Sequence, residues 1–175
     1  MESTFINFAY KDQAFPIGAG QTISQPFTVA FQTQLLQIEK NEKVLEVGTG
    51  SGYQAAVLLE LGAKVFTIER QKELYSKVQN FLPQIGYHPA FFFGDGYKGL
   101  PNFAPFDKIL VTAGAEQIPE DLKQQLKIGG RLVIPVGSNK RQEMYEIIRI
   151  SENEFKSIKH GGFNFVPLLK GTVNF

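Results

Sequence analysis

A run of β-forming residues that ends in three alternating glycines is the feature that most limits how this chain folds. The run and its glycines are Val44 to Val47, Gly48, Gly50 and Gly52. Glycine permits positive φ values and close approach to a ligand, and amide hydrogens at the start of the next helix attract an anion. A tight turn without a ligand also needs glycine, but three alternating glycines exceed that need. The pattern predicts a strand, a turn and a helix that bind a nucleotide-like ligand.

Length and composition fit one globular domain. The chain has 175 residues, of which 43% are hydrophobic, and a domain of this size buries roughly 70% of the surface that its unfolded chain exposes. Cysteine is absent, which excludes disulfides, thiolate metal ligands and thiol nucleophiles. We therefore expect a single domain over residues 1–175 and a reducing compartment, the cytoplasm.

The sequence gives no sign of a nucleic-acid, membrane or metal partner. Its 18 Lys plus Arg oppose 17 Asp plus Glu, so no strong positive field favours a polyanion. The opening residues lack the pattern of a secretion signal, and no run of about 18 apolar residues is present. His88 and His160 have no partners at metal-ligand spacing and are expected at the surface. The oligomeric state has no sequence signal.

From Lys43 onward, β-rich runs alternate with amphipathic stretches, which predicts a doubly wound α/β fold: a mainly parallel, seven-stranded sheet with helices on both faces. Five parallel strands are predicted at Val44 to Val47, Val65 to Ile68, Ala90 to Phe93, Lys108 to Val111 and Arg131 to Val136. Phe91 to Phe93 are expected to be buried, because parallel strands are covered on both faces. Met144 to Ile150 and Phe163 to Leu168 follow without a helix between them and predict an antiparallel C-terminal edge.

Apolar spacing and terminal signals predict three helices. They cover Tyr53 to Leu61, Lys72 to Leu82, and a segment that starts at Pro119 and ends before Gly129. Gly62 suits the C-terminal cap of the first helix, and Pro83 is expected to stop the second.

Acidic residues follow two of the predicted strands, where open α/β sheets bind their ligands. Glu69 closes the second strand, in a place where a carboxylate can accept hydrogen bonds from both hydroxyls of a ribose. Asp95 stands between Gly94 and Gly96 after the third strand and can face an adenine edge. Plainer roles are also open: a carboxylate at a helix start for Glu69 and a turn former for Asp95.

These residues alone leave the cofactor open between two classes. Gly50, Gly52 and Ala55 also fit the G-x-G-x-x-G/A fingerprint of dinucleotide-binding proteins. A nicotinamide-dependent oxidoreductase is therefore the alternative reading of the same turn.

The chain resembles the protein-L-isoaspartate O-methyltransferase family almost from end to end, most specifically in the loop from Gln21 to Pro26. The matching segments are Ala9 to Tyr10, Pro16 to Gly18, Gly20 to Pro26, Gly48 to Gln54, Thr67 to Arg70, Gly94 to Tyr97, Ala104 to Asp107, Val111 to Ala113, Gly129 to Gly137 and Phe165 to Leu168. The resemblance implies the fold of class I methyltransferases and S-adenosyl-L-methionine as cofactor. It further implies methylation of the α-carboxylate of L-isoaspartyl residues in damaged proteins, which starts repair through a succinimide.

The resemblance also implies which residues form the site. The implied cofactor residues are Ile23, Ser24, Glu46, Val47, Gly48, Thr49, Gly50, Ser51, Gly52, Glu69, Arg70, Gly94, Asp95, Gly96 and Thr112. By this likeness the glycine loop meets the methionine portion, Glu69 the ribose and Asp95 the adenine. The implied substrate residues are Thr22, Ser24 and Val166.

Ser24 is the catalytic candidate, because the matching serine belongs to the family's active site. A carboxylate is already ionised at neutral pH and needs no general base, so a hydroxyl that orients it is sufficient. Plainer roles remain open here as well: Ser24 can stabilise its own loop, Thr112 can cap or pack a strand, and the segment around Val166 can be a final strand in the core.

The chain departs from the family pattern in two places. Gly114 stands where the family more often carries alanine. The family usually has a helical segment ahead of the region that matches Met1 to Tyr10, and the domain is expected to lack it, which would expose Phe5, Ile6 and Phe8. A non-catalytic protein that only binds the cofactor is therefore carried as a further alternative.

Overall fold

The computed structural model describes residues 11–138 and 141–174. Its strands are β1 Phe15–Gly18, β2 Gln21–Ile23, β3 Lys43–Val47, β4 Lys64–Glu69, β5 Ala90–Phe93, β6 Phe106–Val111, β7 Leu126–Ser138, β8 Arg141–Arg149 and β9 Phe155–Phe163. Its helices are α1 Pro26–Leu36, α2 Tyr53–Glu60, α3 Lys72–Gln84 and α4 Glu120–Gln124. The expectation for Phe5, Ile6 and Phe8 lies outside the described residues.

A seven-stranded sheet in the order β5-β4-β3-β6-β7-β8-β9 forms the centre of the structure. The five strands from β5 to β7 pair in parallel, and β8 and β9 add antiparallel at one end. The predicted doubly wound sheet with an antiparallel edge is therefore confirmed. The chain winds outward from β3 to β5 and then returns to place β6 on the other side of β3. Ligand crevices of such sheets open at this reversal of strand order.

Apolar side chains cover both faces of the sheet. Ile109 and Val111 of β6 belong to the cluster that includes Leu122 of α4, whereas Leu110 belongs to the opposite cluster. That second cluster also receives side chains from the other three helices, namely Leu36, Ala55, Leu58, Val78 and Leu82. Burial on both faces explains why the central strands appear in the sequence as continuous apolar runs. No helix among the described residues has the length and apolar character needed to cross a membrane.

The prediction for the last strand is wrong. β9 spans Phe155–Phe163, and residues 164–168 leave the sheet. A short turn closed by the hydrogen bond from Ile150 N to Glu154 O (2.8 Å) starts the pairing of β9 with β8 at Phe155. β9 is the outermost strand, and five of its nine residues are exposed. An apolar run therefore does not mark its position in the sequence.

Two predicted helix ends also differ from the structure. α3 continues through Pro83 to Gln84, because a proline in the last turn removes only one backbone donor from the helix. The helix predicted from Pro119 toward Gly129 is confined to Glu120–Gln124, and β7 starts at Leu126 instead of Arg131. β7 passes through Gly130, where an added Cβ atom would lie 2.8 Å from the Asp107 carbonyl oxygen. Gly129 and Gly130 thus belong to strand β7 and do not mark the end of a helix.

The expected burial of Phe91 to Phe93 is wrong, since all three side chains are half-buried. β5 is the other outermost strand of the sheet, so it has a neighbour on one side only. The rings of Phe92 and Phe93 instead pack at a tilt against aromatic neighbours: the ring centroids of Phe92 and Phe103 lie 4.7 Å apart, and those of Phe93 and Tyr75 lie 5.7 Å apart. A strand propensity alone does not reveal whether the strand is central.

An antiparallel hairpin of β1 and β2, followed by α1, precedes the sheet. Phe15 pairs with Ile23, and Pro26 occupies the first turn of α1, where its missing amide hydrogen costs nothing. The sequence analysis left this region as a polar loop. The hairpin brings the loop from Gln21 to Pro26 to the edge of the central sheet.

We expect Leu110→Ala to lower the free energy of unfolding by about 2 to 5 kcal/mol, because it leaves a cavity in the middle of the sheet. Leu110 is fully buried, whereas the control position Ile128 is 61% exposed. Ile128→Ala should change stability by about 0.5 kcal/mol or less. Urea unfolding followed by circular dichroism measures both variants, and equal losses would contradict the assigned core.

Candidate cofactor and substrate site

A crevice opens at the carboxyl ends of β3, β4 and β6, beside the hairpin. Its lining includes Ile17, Thr22, Ile23, Ser24, Val47, Gly48, Thr49, Gly50, Ser51, Gln54, Glu69, Arg70, Gly96, Thr112, Val166 and Leu168. The space, including the part open to solvent, measures about 790 Å³. Eleven of the fifteen predicted cofactor residues line this crevice, together with all three predicted substrate residues.

The loop from Gly48 to Gly52 requires glycine for both conformation and space. Gly48 has a φ of +98°, and an added Cβ atom would lie 2.5 Å from the Thr112 hydroxyl oxygen. Gly52 has a φ of +81°, and its Cβ atom would lie 2.7 Å from Leu82 of α3. The loop therefore packs tightly between β6 and α3 while its other side forms the crevice wall. α2 starts directly after it, so the positive end of that helix faces the crevice region.

Glu69 joins the glycine loop to the end of β4. Its carboxylate accepts hydrogen bonds from the backbone amides of Gly50 and Gln71, each 2.9 Å long. The side chain is almost fully buried and still lines the crevice. A carboxylate has about four lone-pair sites, so hydroxyl groups of a ligand can donate to it in addition. This arrangement fits the ribose of a nucleoside cofactor.

A second, smaller crevice adjoins the first. Its lining includes Ala14, Gln25, Thr28, Asn164 and Phe165. Five residues line both crevices: Thr22, Ile23, Ser24, Thr112 and Val166. The loop between β2 and α1 therefore stands at the junction of the two spaces. This is where a group bound in one space can react with a group bound in the other.

The segment after β9 forms the far wall of both crevices. Gly114 N donates to Val166 O (2.8 Å), and Leu168 N donates to Gly114 O (2.7 Å), so the segment is anchored at the end of β6. Further along, Val173 N donates to Arg70 O (2.9 Å) at the end of β4. Residues 165–173 thus form a strap across the strand ends. Val166 belongs to this strap, so the alternative of a final core strand is excluded.

Four of the predicted cofactor residues do not line the crevice: Glu46, Gly52, Gly94 and Asp95. The Asp95 carboxylate accepts hydrogen bonds from Tyr97 N and Gly171 N, each 2.9 Å long. It thereby takes the turn-forming role that its sequence position left open, because it caps the short 3-10 turn Gly96–Lys98 and holds the strap. A contact between Asp95 and an adenine stays a prediction.

Glu46 lies behind the crevice wall and is completely buried. Burial raises the pKa of its carboxyl to about 8, against the opposing effect of a hydrogen bond from the Thr67 hydroxyl. At neutral pH this group is therefore mainly protonated. It supports the wall from inside instead of touching the space itself.

Thr112 combines a ligand-facing position with a capping role. Its hydroxyl donates to the carbonyl oxygens of Gly48 (2.7 Å) and Val47 (3.1 Å), while the residue lines both crevices. The side chain thus fixes the start of the glycine loop to the end of β6. Both roles that the sequence suggested for this residue are compatible.

The sequence analysis missed two glutamines that shape the site. Gln54 is buried in the crevice wall and donates to the Thr33 hydroxyl (2.9 Å). Gln142 of β8 is also buried and accepts a hydrogen bond from Phe165 N (2.8 Å), which holds the strap. Gln54 is an isolated polar residue at the start of an apolar helix, which is a signal in the sequence, whereas Gln142 lies between Arg141 and Glu143 and carries no such signal.

The sheet order, the glycine loop after β3 and the acidic residue at the end of β4 define a class I S-adenosylmethionine-dependent methyltransferase. Solved structures agree. One described as protein-L-isoaspartate O-methyltransferase superposes with a TM-score of 0.83 at 28% identity and covers 92% of this chain and 54% of its own. A putative protein-L-isoaspartate O-methyltransferase from Plasmodium falciparum, in complex with S-adenosyl-L-homocysteine, superposes with a TM-score of 0.76 at 26% identity. The superposition covers 93% of this chain and 82% of the Plasmodium chain.

The sequence model of the Protein-L-isoaspartate(D-aspartate) O-methyltransferase family matches residues 1–173, and the chain belongs to this family. A protein-L-isoaspartate O-methyltransferase from Christiangramia forsetii is 63% identical over 171 residues, which cover 97% of this chain and 80% of the relative. The cofactor is therefore S-adenosylmethionine, and the nicotinamide-dependent alternative is set aside. Among residues 11–138 and 141–174, no group of His, Asp and Glu side chains has the arrangement of a metal site.

We expect Glu69→Ala to weaken binding of S-adenosylhomocysteine by about 1 to 3 kcal/mol, because it removes a charged acceptor from the crevice. Titration calorimetry measures the dissociation constant. Glu152→Ala, which removes an exposed carboxylate far from the site, is the matched control. An unaltered dissociation constant for Glu69→Ala would exclude the ribose role.

Gly114→Ala tests how the strap is held. The new Cβ atom would lie 2.8 Å from Cδ of Gln142, so it must displace the side chain that binds Phe165 N. We expect the KM for a peptide substrate to rise severalfold while cofactor affinity changes little.

The variant Gln142→Ala removes the same anchor without a clash. If Gly114→Ala acts through Gln142, the double variant should be no worse than Gln142→Ala alone. Steady-state kinetics of the three variants measures this coupling. Additive losses would show that the two residues act independently.

Proposed function

We propose that this protein transfers a methyl group from S-adenosylmethionine to the α-carboxylate of L-isoaspartyl residues in damaged proteins or peptides. The ester then collapses to a succinimide, which starts repair. The junction of the two crevices is the observation that carries this proposal. It offers one space beside Glu69 and a second space beside the strap, and Ser24 lines both. The proposed compartment is the cytoplasm.

The side chains of the two crevices suit this reaction. The bound cofactor supplies an electrophilic methyl group on a sulfonium, and the nucleophile is a carboxylate that is ionised without help. Within the described residues, Glu69 and Arg70 are the only charged residues in either lining. Because the substrate carboxylate is already ionised, the reaction at the junction of the two crevices needs no base. Positioning the two groups and excluding water are the contributions that the chain makes to the rate.

Ser24 is proposed to orient the substrate carboxylate. Its hydroxyl makes no hydrogen bond within residues 11–138 and 141–174, so its proton is available to a ligand. A serine that merely stabilised its own loop would donate this hydrogen bond to a nearby backbone carbonyl. The loop is held by other contacts: Asp12 accepts from Phe27 N (3.0 Å), and its carbonyl accepts from the Gln25 side chain (3.1 Å). Thr22 lies beside Ser24 in both linings.

The strap is proposed to recognise the peptide. Val166 lines both crevices, and its carbonyl already pairs with Gly114. Backbone groups of an extended segment can pair with a peptide with little dependence on the peptide's side chains. This mode of recognition suits an enzyme that must act on damage in many sequence contexts.

A methyl-transfer assay with two matched peptides tests the proposal directly. One peptide contains isoaspartate and the other contains aspartate at the same position. Labelled methyl groups should enter the isoaspartyl peptide only. Binding of S-adenosylhomocysteine without transfer to either peptide would instead identify a non-catalytic cofactor-binding protein.

We expect Ser24→Ala to lower kcat about 10- to 100-fold, the effect of one hydrogen bond to a charged group. Cofactor affinity should change much less, because the glycine loop and Glu69 remain. Turnover and S-adenosylhomocysteine affinity are measured in parallel, with Ser157→Ala on the exposed face of β9 as control. Equal kcat values in Ser24→Ala and the wild-type protein would remove Ser24 from the active site.

A further inference from the structure

A chain of three polar side chains runs from the core to the crevice wall. Glu46 on β3 and Thr67 on β4 are register partners, and the Thr67 hydroxyl lies 2.5 Å from Oε2 of Glu46. The same hydroxyl lies 2.6 Å from the hydroxyl of Thr49. Glu46 and Thr67 are completely buried, whereas Thr49 lines the crevice. The protonation of the buried end can therefore influence the end that faces a ligand.

Each hydroxyl in this chain has one hydrogen to donate, which leaves two arrangements. If Glu46 is ionised, it only accepts, so Thr67 donates to Glu46 and Thr49 donates to Thr67. Thr49 then presents lone pairs to the crevice. If Glu46 carries a proton, Glu46 donates to Thr67 and Thr67 donates to Thr49. The hydrogen of Thr49 is then free to point into the crevice.

The surroundings of Glu46 favour the protonated arrangement. Within the described residues no Lys, Arg or His forms an ion pair with Glu46. Hydrogen bonds from the Thr67 hydroxyl and the Ala55 backbone favour its charged form, but they do not outweigh its complete burial. A buried carboxylate without a compensating cation is strongly disfavoured relative to the neutral acid. The pKa of about 8, raised mainly by burial, agrees with this argument.

The charged residues on the elements around Glu46 do not offset its charge. They are Lys43 on β3, Glu60 on α2, Lys64 and Glu69 on β4, Lys72, Glu73 and Lys77 on α3, and Asp107 and Lys108 on β6. α1 carries none. Among these groups Glu69 is the one that acts on Glu46, and its like charge raises the pKa further. Lys108 pairs with Glu42 at a distance of 3.4 Å, and Lys72 lies over the Tyr75 ring.

We propose that Glu46 is a positioning residue that retains a proton and, through Thr67, turns the Thr49 hydroxyl toward the crevice as a hydrogen-bond donor. The inference rests on the proposed function, because it assigns Thr49 to the carboxylate-bearing methionine end of the cofactor. The start of α2 also favours an anion at this place. A donating Thr49 adds to that preference, whereas an accepting Thr49 opposes it.

The test compares the pH dependence of S-adenosylhomocysteine binding in the wild-type protein and in Glu46→Gln. The amide of glutamine donates to Thr67 at every pH and mimics the protonated acid. Wild-type affinity should fall as the pH rises above about 8, by no more than tenfold per pH unit, and should level off at the affinity of the ionised form. Glu46→Gln should lack this fall. Titration of the ligand itself is common to both proteins and cancels in the ratio of their dissociation constants.

Thr67→Val is the second variant, because it interrupts the chain while Glu46 keeps its carboxyl, whose pKa rises further without the hydrogen bond from Thr67. The variant should bind more weakly than wild type below pH 8 and should approach wild type above it. If binding occurs and the three proteins share one pH profile, the inference is overturned while the proposed function stands. Absence of binding at every pH would overturn the proposed function and this inference together.

Unfolding of the cofactor-free protein provides an independent measurement. The folded pKa of Glu46 lies at about 8 and its ordinary value is 4.5. Between these two pH values the folded state therefore binds more protons than the unfolded state. The stability contributed by this proton is complete below pH 4.5 and is lost as the pH rises toward 8. Relative to Glu46→Gln, the wild-type protein should lose stability to urea across this interval. A constant difference would show that Glu46 does not hold the proton.

Discussion

The close packing of the glycine loop between three strand ends is the constraint on which the site depends. Gly48 N donates to Ile68 O at the end of β4, and its Cα atom faces the Thr112 hydroxyl at the end of β6. Gly50 N donates to Glu69. A side chain at Gly48 would displace the Thr112 side chain at the end of β6. The same contacts that close the sheet at its reversal point therefore shape the surface that receives the cofactor.

The site divides into a part built from neighbouring residues and a part assembled from distant ones. The cofactor side is formed mainly by the loops after β3 and β4, which follow one another along the chain. The substrate side joins the hairpin at the start of the described residues to the strap after β9. Ser24 and Val166 meet across this boundary although 142 positions separate them in the sequence. A shared nucleoside cofactor and a specific acceptor can thus be recognised by separate parts of one sheet.

This division explains how much of the molecule the sequence could reveal. The glycine loop, Glu69 and the parallel strands are local patterns, because apolar runs and glycine spacing mark them directly. The position of β9, the half-buried state of Phe91 to Phe93 and the hydrogen bonds of Asp95 depend on which segments become neighbours in the sheet. The buried chain from Glu46 to Thr49 likewise depends on the register between β3 and β4. No single stretch of sequence contains that information.

The strap has a consequence for how the molecule matures. Residues 165 to 173 bind at the ends of β6 and β4, so the wall between the two crevices is built from the last part of the described chain. During synthesis the amino-terminal portion leaves the ribosome first. The nucleoside-binding surface can then assemble while the acceptor wall is still missing. The wall that is proposed to bind the acceptor is therefore completed only after all strands of the central sheet have been synthesised.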